Sequence, residues 1–194
     1  MASNAAETTQ RSFIAIPLDT ALKQRMVQLQ RELRSAYPDL KPATPDNLHL
    51  TLHFLGERSQ DELAEIGRIM LSVGEKKANF NVSLEGLGAF PNPRRPRVLW
   101  IGLSPPEEIV ALYHLLRDRM ESAGLHPEQR PFRPHLTLGR FKNPKQKAIS
   151  LGHFLTYKCG KLQVDKLVLY SSRLAAGGAI HTPLCSVALA KVES

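Results

Sequence analysis

The stretch NLHLTLHFLG at residues 47–56 and the stretch RPFRPHLTLGRF at residues 130–141 share the tetrad His-Leu-Thr-Leu, at 49–52 and again at 135–138. In the first, Leu48, Leu50, Leu52 and Phe54 alternate with His49, Thr51 and His53. A period of two marks a half-buried strand, because successive side chains of a strand point to opposite faces. His49 and Thr51 therefore share one face, as do His135 and Thr137, while Leu50, Leu52, Leu136 and Leu138 hold each strand against an interior. Each tetrad presents one imidazole beside one hydroxyl on a rigid element.

The surroundings of the tetrads repeat as well. Leu22, Met26, Leu29, Leu33 and Ala36 recur at helical spacing and predict a helix over 19–36, ahead of the first tetrad. Ile109, Leu112, Leu116, Met120 and Ala123 predict another over 105–123, ahead of the second, with Gly124 as its stop. Between them, Ser59 and Glu62 stand at capping-box spacing and open a third helix. Strands are predicted at 12–17, 79–90, 97–103, 162–172 and 179–190, and 143–155 reads as a loop or a short helix.

The tetrads lie 86 positions apart (135 minus 49), too far for a solenoid period but suited to two similar lobes facing each other. The expected fold class is α+β, with two antiparallel sheets lining a central cleft and the helices on their outer faces. Residues 1–10 read as a flexible N-terminal tail, and residues 11–194 as a single bilobal domain.

Composition narrows the classes of function. Hydrophobic residues make up 42% of the 194, enough for a sizeable interior and too many for a disordered chain. No apolar run approaches the roughly 20 residues that span a bilayer. The opening MASNAAETTQ lacks the basic start and apolar stretch of a secretion signal. Cys159 and Cys185 are too few for a disulfide framework or a zinc knuckle. A cytoplasmic monomer without a membrane partner is the expectation. Lys and Arg number 26 against 18 for Asp and Glu, a formal charge of +8 that favours polyanionic partners but also serves solubility. Charge alone does not choose.

The doubled tetrad does. Brought across a cleft, two imidazoles flank one space, and near neutral pH either can act as base or acid. The threonine hydroxyls can donate to non-bridging phosphate oxygens as their charge rearranges. No helical H-x-x-x-H, aspartate cluster or cysteine pair at ligand spacing accompanies them, so neither metal nor cofactor is expected. Phe13 and Trp100 read as core, although Phe13 could stack on a base. Arg94, Arg95 and Arg97 in NPRRPR fit either a grip on an RNA backbone or ordinary loop charge. His53 is expected on the face of Thr51 and, with His114, His126, His153 and His181, as a bystander.

These motifs closely resemble the 2H phosphoesterases. FIAIPL, GLGAFPNPRRPRVLWIGL and VDKLVLYSSRL extend the resemblance over nearly the whole chain, toward the RNA 2′,3′-cyclic phosphodiesterase (2′-5′ RNA ligase-like) branch. The resemblance implies a two-lobed fold with pseudo-twofold symmetry and metal-independent hydrolysis of RNA 2′,3′-cyclic phosphate ends to 2′-phosphomonoesters. It implies His49 as general acid on the departing 3′ oxygen and His135 as general base on water, with Thr51 and Thr137 binding phosphate. It also implies an arginine, Arg140, near the phosphate, while Arg130 and Arg133 stand as further phosphate or backbone contacts. Strict alternation puts Arg140 on the side of Leu136 and Leu138, so it needs a bulge after Gly139 or must act from the rim. The partner is RNA with a 2′,3′-cyclic end or a small cyclic nucleotide. Alternatives are 2′-5′ RNA ligation at the same site and a non-catalytic RNA- or nucleotide-binding protein.

Overall fold

The computed structural model describes residues 8–128, 130–143, 148–176 and 178–191. Among these, the chain runs β1 (Gln10–Pro17), α1 (Thr20–Ala36), β2 (Leu40–Pro42), β3 (His49–Arg58), α2 (Gln60–Gly74), β4 (Phe80–Phe90), β5 (Val98–Ser104), α3 (Glu107–Ser122), β6 (His135–Phe141), β7 (Lys158–Val164), β8 (Lys166–Ala175) and β9 (Gly178–Ala188). Residues 1–7 of the expected tail and 144–147 of the ambiguous segment lie outside the described residues; Gly152–Thr156 forms a 3₁₀ turn. The single strand expected at 162–172 is two, β7 and β8, parted at Asp165.

Local chemistry fixes the helix ends. The Asp19 carboxylate accepts from Leu22 N at 2.6 Å and opens α1. Ser59 and Glu62 make the reciprocal capping box at the start of α2. Gly124, at φ +76°, takes the left-handed conformation that ends α3, where a side chain would be strained.

The strands form one antiparallel sheet in the order β7-β4-β5-β6-β3-β1-β8-β9, with β2 added to β6. The two antiparallel sheets expected are the halves of this one, joined because the tetrad strands themselves pair, at Leu50 and Leu136. The order reads alike outward from that seam, β3-β1-β8-β9 on one side and β6-β5-β4-β7 on the other. The helices are exchanged between the halves. Helix α1 follows β1 but packs on β2, β6 and β7, whereas α3 follows β5 but packs on β3, beside α2 under β8 and β9. Leu50, Leu136 and Leu138 are fully buried beneath this cover, as are Met26, Leu29 and Leu33 of α1 and Leu112 and Leu116 of α3.

Three register shifts break the alternation. Thr51 pairs with Ala15 but His53 with Ile14, so Leu52 is an extra residue in β3. Thr137 pairs with Trp100 but Gly139 with Leu99, so Leu138 is the extra residue in β6. Cys185 pairs with Leu169 but Pro183 with Tyr170, which leaves Leu184 over in β9. A bulge of this kind reverses the facing of every residue beyond it.

Candidate active site

The seam sets the geometry of the two tetrads. Antiparallel pairing at Leu50 and Leu136 carries His49 opposite Thr137 and Thr51 opposite His135, with all four side chains on the face away from the helices. His49 and His135 are then diagonal neighbours across the seam, a separation of about 7–8 Å between backbones. That distance leaves room for one tetrahedral group between the rings. Both rings and both threonines are partly exposed, and among the described residues neither hydroxyl has a protein partner.

The two imidazoles are held differently. The Nδ1 of His135 lies 2.6 Å from the Arg133 carbonyl oxygen. A carbonyl only accepts, so Nδ1 carries the proton and Nε2 of the neutral ring is left with its lone pair. The edge of Phe90 meets this ring at 4.8 Å and Trp100 flanks it at 6.1 Å. Burial lowers the proton affinity of His135, the Arg133 carbonyl partly offsets this, and the Arg140 guanidinium lowers it further.

His49 has no such anchor. It stacks on Phe13 at 4.9 Å, with Tyr170 at 6.0 Å, and meets His181 nearly at right angles at 5.4 Å. Burial, then His181, then Lys23 push its pKa down to about 4. In the free protein His49 is therefore neutral at pH 7, and an entering anion would favour its protonation.

The bulges correct several expectations. Beyond Leu138, Gly139 turns inward and Arg140 emerges on the face of His135. The break lies one residue earlier than the glycine suggested. The Leu138 carbonyl accepts from the buried Gln30 of α1 at 2.7 Å, and the same amide nitrogen donates to Ala43 O at 2.9 Å. Gly139 is required because β2 closes over it: a Cβ there would stand 2.7 Å from Lys41 O. Beyond Leu52 the same reversal sends His53 into the core rather than to the face of Thr51. Its Nε2 lies 2.9 Å from the Tyr113 carbonyl of α3 and its ring stacks on Tyr113 at 4.2 Å. Phe54 emerges instead, 54% exposed.

The remaining arginines divide. Arg130 is paired with Glu128. Arg133 precedes β6 with its side chain exposed, and its carbonyl is what touches His135. Arg130 and Arg140 line a cavity of about 600 Å³ with Arg11, Phe54, His126 and Glu128. Phe13 is buried as expected, but on the tetrad face, in register with Phe54. Trp100 is only half-buried and lies across Gly88, where a Cβ would stand 2.1 Å from its ring. Among the described residues no group of three or more His, Cys, Asp or Glu is arranged to hold a metal ion.

Two consecutive segments, residues 16–100 and 101–181, each match the family described as LigT-like phosphoesterase, one tetrad to a segment. The chain belongs to this family. An RNA 2′,3′-cyclic phosphodiesterase of Methanothermobacter thermautotrophicus is 34% identical over 177 residues, covering 90% of this chain and 96% of that one. The crystal structure of Escherichia coli LigT with 3′-AMP superposes with a TM-score of 0.77 at 29% identity, over 95% of this chain and all of that chain. A crystal structure from Thermus thermophilus does so with a TM-score of 0.79 at 29% identity, over 94% of this chain and all of that chain. No helix of this LigT-like phosphoesterase is long and apolar enough to cross a membrane. What the sequence could not assign in the LigT-like site is Phe54 and His181, since both reach the tetrad face only through bulges with no local signal of their own.

Proposed function

We propose that this LigT-like phosphoesterase opens RNA 2′,3′-cyclic phosphate ends to 2′-phosphomonoesters without a metal, residues 11–194 working as one catalytic unit. The observation that carries the reading is the seam, which brings two imidazole–hydroxyl pairs to one face on either side of a phosphate-sized gap. In this reading His135, with Nδ1–H committed to Arg133 O, takes a proton from water through Nε2. The water oxygen attacks phosphorus, the bond to the 3′ oxygen breaks, and His49 gives that oxygen a proton. An entering phosphate anion supports the charged form of His49 against the burial that opposes it. Thr51 and Thr137 donate to the non-bridging oxygens and Arg140 neutralises their charge. The relatives named RNA 2′,3′-cyclic phosphodiesterases support this substrate class.

A polynucleotide rather than a free nucleotide is supported by the rim beside β6. The loop 91–97 springs from the strand pair Phe90 and Val98, and Val98 pairs with Arg140. The Asn92 side chain accepts from Arg94 N at 3.0 Å and from Arg95 N at 3.1 Å, which shapes the loop. Among the described residues Arg94, Arg95, Arg97 and Arg140 have no acidic partner. Such a row suits the phosphates on the 5′ side of a cyclic end. Product analysis on 2′,3′-cyclic nucleotides and cyclic-ended oligonucleotides, with and without EDTA, tests the proposal. A 2′-phosphate formed equally in EDTA is the expected result; no product, or product lost to EDTA, overturns it.

A further inference from the structure

The third bulge delivers a third histidine. Cys185 faces α2, its Sγ 3.7 Å from where Gly67 would carry a Cβ, so unbroken alternation would also turn His181 toward the helices. The extra residue Leu184 reverses it, and His181 meets His49 at 5.4 Å and Phe13 at 4.8 Å, nearly perpendicular to both. Its hairpin is tied down just ahead of the tetrad, where the Asn47 side chain donates to Ala179 O at 3.0 Å. His181 Nδ1 is shut off from solvent and has no hydrogen-bond partner. A buried, unpaired ring nitrogen costs stability that a phenyl ring in the same place would not. Bulges that re-aim a side chain recur beside functional sites.

We propose that His181 is a positioning residue of this site, a third imidazole that holds the plane of His49 and competes with it for protons. The proposal rests on His49 being a working acid. The groups that face the pair are Tyr170 of β8, Lys23 of α1 and the uncharged Phe13 of β1. Only His181 among them gains a charge in the range where His49 titrates. A protonated His181 repels a proton from His49, which makes His49 readier to surrender its own to the leaving oxygen. No bond to the substrate is needed for this effect.

Two substitutions test it. His181→Gln removes the charge and keeps a polar group; His181→Phe keeps the ring and removes both nitrogens. The ring resonance of His49 is followed by NMR against pH in the parent and in each variant, with thermal melting as a check of the fold. In His181→Gln the His49 midpoint is expected to rise by about half a unit or more, as loss of a neighbouring like charge requires. With 2′,3′-cyclic AMP the limb of the rate profile belonging to His49 moves the same way. The loss of alignment lowers kcat about tenfold in both variants while KM changes less than about threefold. A His49 titration unchanged in both variants overturns the proposal, as does full parental kcat in His181→Phe, which would make His181 mere filling. The NMR titration needs no turnover, so a parent without phosphodiesterase activity would sink the functional reading and leave the His181 measurement standing.

Discussion

The two tetrads are identical in sequence and opposite in surroundings. The His135 half is polar and anchored: a carbonyl fixes its tautomer, Arg140 emerges two residues beyond the tetrad, and an arginine loop borders it. The His49 half is aromatic and unanchored, walled by Phe13, Tyr170 and His181, with Phe54 standing where the second half has Arg140. Even the bulges are fastened differently. Gln30 reaches across from α1 to the Leu138 carbonyl, whereas His53 reaches from β3 to the Tyr113 carbonyl of α3. Duplication supplied one chemical unit twice, and the neighbours made one copy a ready base and the other a ring that is neutral until an anion arrives.

The sharpest way to break the comparison is to remove one ring at a time. His135→Ala and His49→Ala should each lower turnover of a 2′,3′-cyclic nucleotide by about 10²–10⁴, the usual contribution of an acid or base. A variant with near-parental kcat would show that its half is not catalytic. Thr137→Val and Thr51→Val remove one donor each and should cost about 10² in kcat. A larger loss at Thr137 than at Thr51 would place the developing charge nearer the His135 half.

Gln30→Met leaves two backbone carbonyls, Ala43 O and Leu138 O, without their donor. Stability should fall by about 1–3 kcal/mol in urea titration. If the bulge relaxes, KM should rise as it does in Arg140→Ala, and the double variant should be no worse than Arg140→Ala alone. A smaller effect separates the rims: Arg94→Gln with Arg95→Gln should raise KM for a cyclic-ended oligonucleotide and flatten its salt dependence by about one unit of slope per charge. KM for 2′,3′-cyclic AMP should not move; an equal change for both substrates would remove the loop from RNA recognition.

The last test concerns stability. His49 and His53 both have pKa values lowered from 6.5 to about 4 in the folded chain. The unfolded chain therefore binds more protons than the folded one as pH falls from 6.5 toward 4. Their contribution is complete above pH 6.5 and is lost through that window. The urea midpoint should drop on acidification, and less steeply in His53→Gln, whose side chain does not charge.

Much of this was legible in the sequence. The tetrads, the shared facing of each His and Thr, the three helices, the capping box at Ser59 and the stop at Gly124 all follow from local periodicity and caps. The facing of Phe54, His53, Arg140 and His181 does not. Each depends on which residue of a partner strand is skipped, and Ile14, Leu99 and Leu169 lie far away along the chain. Gly139 hinted at a break, but the residue left over is Leu138, held by a glutamine more than a hundred positions earlier. The exchange of α1 and α3 between the halves was equally invisible, because amphipathic spacing names the buried face of a helix and not the sheet beneath it.

That exchange, with β8 and β9 completing the half that begins at β1, orders how the site can come into being. A growing chain that has reached β7 owns both imidazoles and both hydroxyls, yet the ring wall around His49 is still unmade. Activity must await the final hairpin, so partial chains emerge inert toward the RNA around them.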